Sequence, residues 1–150
     1  MRFVSLLIGV FLATTLVAAT GLAEDKAERA KKKHTVVTIH QMEVHPKAVT
    51  ISKDEVIGWF NYADETAQLS FPESVAEKFS CSSLRPWFTR TGNGRIVSNP
   101  IHALEFAPPC TLPPGRYPYK VLLFSALGDS GVRAAWGPPD SEIDAEIIVK

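Results

Sequence analysis

"GRYPYKVLLF", residues 115–124, decides how this chain folds. A Pro113-Pro114-Gly115 turn feeds a run that carries Tyr117-x-Tyr119 and then continues through Lys120 into Val121, Leu122, Leu123 and Phe124. Turn residues leading into aromatic and branched side chains mark the start of a β-strand. Shorter runs of the same kind lie on either side of it. "HTVVTIHQMEV" (34–44) is rich in β-branched residues and roughly alternating. "AVTI" (48–51) follows Pro46, and the turn "SKDE" leads to "VIGWF" (56–60). "AQLSF" (67–71), "GRIVS" (94–98), "ALEFA" (103–107) and "AEIIV" (145–149) complete the set. About eight strands at intervals of about 8–15 residues, with turn chemistry between them, predict an all-β sandwich. No stretch carries the apolar stripe of a long helix. "PESVAEKF" (72–79), with Pro72 early and Val75, Ala76 and Phe79 on one side, predicts one short helix.

The ends of the chain have a different character. Arg2 precedes an apolar run from Phe3 to Ala19, and Gly21-Leu22-Ala23 stands before the acidic Glu24. This is the layout of a secretory signal peptide over 1–23, cleaved after Ala23 or, second, after Ala19. The competing reading is a retained anchor, for which the apolar run sits at the short limit of a membrane span. "EDKAERAKKK" (24–33) reads as a solvated charged leader, and the folded domain is expected over 34–150. With the signal removed, 15 basic residues face 16 acidic ones. Such a balance creates no field to attract nucleic acid or to hold the mature chain on an anionic membrane. The chain has two cysteines, Cys81 and Cys110. In a secreted or periplasmic protein an even pair reads as a disulfide, with metal-binding or redox thiols as the alternative.

Taken together, these pieces resemble the cupredoxins, the blue-copper β-sandwich family. Val44-x-Pro46 followed by "AVTISKDEVIGWFN" is similar to the family's opening strands, and "QLSF" to the strand after its first ligand. "LPPGRYPYKV" is similar to the approach to its ligand loop, and "AEIIVK" to its last strand. The resemblance covers about Thr35 to Phe71 and Leu104 to Lys150, and implies a Greek-key sandwich. It also implies a copper site of two imidazoles, a thiolate and a weak axial group. Here the implied ligand positions hold other residues. The first imidazole position falls at Ala67, with Gln68 beside it; the thiolate position is Val121; a histidine three further on is Phe124. Residues 111–150 contain no Cys, His or Met, so the C-terminal ligand loop of a blue-copper centre has no donors. No cofactor is therefore expected, and Val121 and Phe124 are expected to continue the apolar packing.

Two other sets of residues invite a function. His40, Met42 and His45 form a soft donor cluster suited to copper(I), with His40 and Met42 on one face of a continuous strand and His45 on the other. The alternative reads them as ordinary strand residues. "RPWFTRTGNGR" interleaves Arg85, Trp87, Phe88, Arg90 and Arg95, a combination suited to stacking and to protein interfaces. The alternative there turns Trp87 and Phe88 inward. This stretch lies in the first of two long irregular segments, 80–93 and 125–141, and the second carries Arg133 and Trp136. Loops of such length are often functional. The chain has no GxSxG, no HExxH and no phosphate-binding glycine loop. It is read as a non-enzymatic, exported binding or assembly module without a blue-copper centre, whose partner is another exported or membrane-associated protein. The alternative is copper handling, in electron transfer or delivery, through the His40, Met42 and His45 cluster.

Overall fold

Alternation along the chain resolves into two sheets packed face to face. The computed structural model describes residues 32–125 and 138–150. Within them the strands are β1 (His34–Ile39), β2 (Val44–His45), β3 (Ala48–Ile51), β4 (Val56–Asn61), β5 (Thr66–Pro72), β6 (Ser80–Cys81), β7 (Phe88–Thr91), β8 (Arg95–Ser98), β9 (Cys110–Thr111), β10 (Gly115–Phe124) and β11 (Ser141–Val149). A 3-10 segment, Glu73–Lys78, is the expected short helix. Five strands form one sheet in the order β2-β1-β4-β9-β6, and six form the other in the order β3-β11-β10-β5-β8-β7. Three of the strands, β2, β6 and β9, have only two residues. The other eight are the framework of the sandwich.

Burial follows the strand period. In β10, Tyr117, Tyr119, Val121 and Leu123 face inward, and the residues between them face out. Neighbouring β4 and β5 sit inside their sheets and are buried on both sides over most of their length. Trp59 is fully enclosed between the sheets and donates its indole N–H to the Tyr119 hydroxyl at 3.2 Å. Phe71 stacks on Tyr119 at 4.9 Å, with Phe79 and Phe88 packed edge-on against it. Burial pushes the Tyr119 hydroxyl up to about 12, opposed by the bond from Trp59. At the start of β10 the Tyr117 hydroxyl donates back to Pro113 O at 2.7 Å. That ring lies so close to Gly115 that a Cβ there would sit 3.0 Å from its oxygen, so the turn requires glycine. Pro118 fits in a long strand because β5 joins β10 only from Lys120 onward.

Cys81 and Cys110 form a disulfide and stand directly opposite one another in the β6–β9 pair. Ile57 pairs with Cys110, so the bridge fastens this short edge to β4.

Three local expectations are corrected. Residues 34–44 are not one strand: the His40 N–H donates to Glu43 O at 2.8 Å, closing a hairpin between β1 and β2. Residues 103–107 are not a strand either. Leu104 takes a φ of 60° and its N–H donates to Asn61 O, which turns the chain and leaves only Phe106 bridged to Phe60. Conversely, the segment 80–93 is less irregular than its composition suggests, because it contains β6 and β7. Of the second irregular segment, residues 126–137 lie outside the described residues, as does the expected signal peptide.

Candidate functional site

The positions implied for copper lie in β5 and β10, and strand parity divides them. Ala67 and Val121 point between the sheets and are fully buried. The backbone of Ala67 exchanges both hydrogen bonds with Ile101, at 2.9 and 2.8 Å. Gln68 and Phe124 are also buried but face the outer side of the six-stranded sheet, where Gln68 donates to Ser98 O at 3.0 Å. Because β10 continues without a break through Phe124, Val121 and Phe124 are both packed but on opposite faces of the sheet. An alanine and a valine in an apolar core offer no lone pair to a metal, so these positions do not fit a copper ion.

His40 and Met42 sit in the β1–β2 turn and line one shallow hollow with Glu43, Tyr62 and Asp64. The His40 ring stacks on Tyr62 at 5.3 Å, with its Nε2 3.2 Å from Thr38 Oγ1. His45 is opposite Thr38 in the hairpin ladder and does not line the hollow. The turn thus replaces the shared strand face anticipated for His40 and Met42. Among the described residues no three His, Cys, Asp or Glu side chains gather as a metal-binding group.

The Arg85-to-Arg95 residues are spread over different surroundings. Trp87 and Phe88 pack against the core, Phe88 at 4.7 Å from Phe79. Arg85 is exposed beside Leu84 and Trp87. Arg90 pairs with Glu73 at 3.2 Å and Glu77 at 3.6 Å. Arg95 crosses to β5, where its Nε and Nη2 donate to Ser70 Oγ and Ser70 O at 2.7 and 2.8 Å. Arg133 and Trp136 lie outside the described residues.

One surface stands out that the sequence reading did not single out. It is the outer face of the five-stranded sheet, at the end where β1 and β4 finish. Phe60 points outward, with Tyr62 at 4.4 Å and Phe106 at 4.3 Å between ring centroids. Val36 shares this face on β1, opposite Gly58. Leu104 stands on the adjoining turn, and Met42 borders Tyr62. Six large apolar side chains are exposed among the described residues, and five of them are Val36, Met42, Tyr62, Leu104 and Phe106; the sixth is Leu84. Exposure of 54% at Tyr62, 62% at Phe106 and 72% at Leu104 sets them apart from stray surface hydrophobics. Asn61, fully buried, holds the arrangement. Its Nδ2 donates to Glu65 O and Ile101 O at 2.8 and 2.9 Å, and its Oδ1 accepts from Ala63 N at 3.0 Å. Its backbone bonds both Glu105 O and Leu104 N, so one asparagine joins the Tyr62 turn to the Leu104 turn. A signal was present in the sequence: with Trp59 inside, Phe60 and Tyr62 had to face out.

Two packed sheets, with the framework residues Trp59, Phe71, Tyr117 and Tyr119 at their centre, form a cupredoxin-like β-sandwich that lacks the blue-copper ligands. Among solved structures the chain is similar to an oxidised amicyanin mutant, at 13% identity over 77% of this chain and 80% of that chain, TM-score 0.46. It is similar to auracyanin B at 9% identity, over 79% and 88%, TM-score 0.38. A cysteine protease inhibitor from Entamoeba histolytica is similar at 11% identity, over 78% and 97%, TM-score 0.41. No protein-family model matches the chain, and no curated protein matches it. No functional residue is carried over from these structures.

Proposed function

We propose that this protein is an exported, non-enzymatic assembly module that docks a partner protein on the aromatic face around Phe60, Tyr62 and Phe106. The observation that carries this reading is the concentration of exposed apolar side chains on one sheet face. Monomeric soluble proteins rarely leave such a patch uncovered, and aromatic anchors dominate interface energy. The rim indicates the partner's chemistry. Glu43, Asp64 and Glu105 are exposed around the patch, and the segments that build it, 40–45, 60–66 and 101–107, contain no Lys or Arg. A second copy of the chain would bring acid against acid. The complementary surface is an exported or membrane-associated protein segment with apolar side chains flanked by Lys or Arg.

A photo-crosslinking residue in place of Tyr62, expressed in the source cells, tests the proposal. The expected product is one protein joined through a basic, apolar segment, lost when Asp64→Lys and Glu105→Lys are combined and absent when the crosslinker replaces Arg116. A crosslink that survives the charge reversal, or one to a second copy of the chain, sinks this choice of partner. The purified mature protein is expected to carry no stoichiometric copper and no intense visible band. A blue chromophore would overturn the assembly reading in favour of metal handling.

A further inference from the structure

The outer face of the six-stranded sheet carries a groove of about 760 Å³, within the range of small-ligand sites. Its floor is apolar, from Val97, Leu122 and Phe124, and Arg95 and Lys120 stand over it. The two cations differ in one respect. Lys120 is neutralised by Glu142 at 2.5 Å. Arg90 at the groove's edge is likewise paired with acids, as are Lys33 and Arg116 elsewhere. Arg95 is half-buried, yet among the described residues it has no carboxylate within ion-pair distance. It is nevertheless fixed in place. The Nε and Nη2 edge of its guanidinium grips Ser70 through two hydrogen bonds.

A guanidinium has five N–H donors in a planar fork. Two of them are spent on Ser70, which leaves the end-on pair at Nη1 and Nη2 in the geometry that matches a carboxylate bidentately. One positive charge without an acid partner among the described residues calls for one negative charge, which favours a carboxylate over a phosphate dianion. The apolar floor beside it calls for an apolar substituent on the same molecule. Pre-orientation by Ser70 removes the rotamer cost that a free arginine incurs on binding.

We propose that this groove binds a small carboxylate with an apolar arm, its carboxylate on the free edge of Arg95 and its arm over Val97, Leu122 and Phe124. The site lies on the opposite sheet from the aromatic docking face and does not depend on it. Calorimetric titration of the full chain with octanoate and with octanamide, together with amide-shift mapping, tests the proposal. Octanoate is expected to bind saturably at one site and to shift the amides of Val97, Lys120 and Leu122, with octanamide much weaker. Arg95→Gln should weaken octanoate by about tenfold or more, the scale of a lost charge-assisted bond, and leave octanamide unchanged. Leu122→Ser, at a position paired with Gln68 rather than Ser70, should weaken both probes and keeps the test decisive if the arginine variant folds poorly. Equal binding of the two probes, shifts confined to the Tyr62 face, or no octanoate binding overturns the proposal. None of these outcomes bears on the crosslink at Tyr62, so the two readings fail separately.

Discussion

At the scale of single residues, Asn61 links the core to the surface. It is fully buried, yet all of its side-chain bonds go to backbone groups of the turns that present Tyr62, Leu104 and Phe106. Asn61→Ala leaves the Glu65 carbonyl and the Ala63 N–H without partners, while Ile101 O keeps its bond from Ala67 N. The expected loss is about 2–4 kcal/mol, since each orphaned buried group costs about 1–3 kcal/mol and some regain water. The urea midpoint of the variant measures it, and an unchanged midpoint would show that the turns hold themselves. The residue was visible in the sequence only as the end of a strand. Its role depends on Glu65, Ile101 and Leu104 arriving from other segments, which no local pattern encodes. Val121 was the reverse case. Its burial was expected from the loss of the implied thiolate, and strand alternation with the inward Tyr117 and Tyr119 gives the same result. The same alternation sends Phe124 outward, three residues later, which reasoning from ligand spacing alone overlooked.

At the scale of elements, the strands read well where one face is buried and the other wet, as in β1, β10 and β11. They read poorly where backbone conformation overrides composition. "ALEFA" has the residues of a strand, but the positive φ of Leu104 breaks it. β7 was hidden because Arg90 and two threonines look like loop chemistry, although Phe88 anchors the strand to Phe71 and Phe79. The turn between β3 and β4 supplies a pH-dependent contact. Lys33 lies 2.8 Å from the Glu55 carboxylate, and the Ser52 N–H donates to it at 2.5 Å. The bond from Lys33, then that from Ser52, holds Glu55 below the usual carboxylate range despite its burial. The group ionises more readily folded than unfolded. Its contribution is therefore complete above the ordinary glutamate value of about 4.3 and disappears as pH falls through its own lower value. Glu55→Gln should lower stability at neutral pH, where the contribution is complete, and change it little in strong acid, so that the acid limb of the stability curve below about pH 5 is flatter and converges on that of the parent. An acid limb that stays as steep in the variant assigns the effect to other carboxylates.

At the scale of the molecule, the disulfide compensates for short strands. β6 and β9 have two residues each, and the bridge between Cys81 and Cys110 holds them to β4. Closing a loop of 29 residues' separation contributes about 3.5 kcal/mol through the unfolded chain. Replacing both cysteines by alanine should lower unfolding free energy by about that amount. The amides of Ser80 to Ser83 should exchange first. A variant as stable as the parent would mean that the edge is held by Leu112 and Phe79 packing instead. The sandwich, the bridge and the missing copper donors were all available from order and spacing along the sequence. The exposed aromatic face was legible only through the outward parity of Phe60 and Tyr62, and the Arg95 groove not at all, because each is completed by segments that meet only after folding.

The pairing of β3 with β11 also governs when the protein can fold. β3 has a single neighbour, β11, and the two run parallel, with Ala48 beside Glu146 and Ile51 beside Val149. These partners lie about a hundred residues apart along the chain, a separation that makes sheet closure slow. Synthesised or translocated N-terminus first, β3 has nothing to pair with until β11 arrives. The pairs β1–β4 and β5–β8 need no residue beyond Ser98, so β3 is the element left open longest, and its exposed edge waits on the final strand.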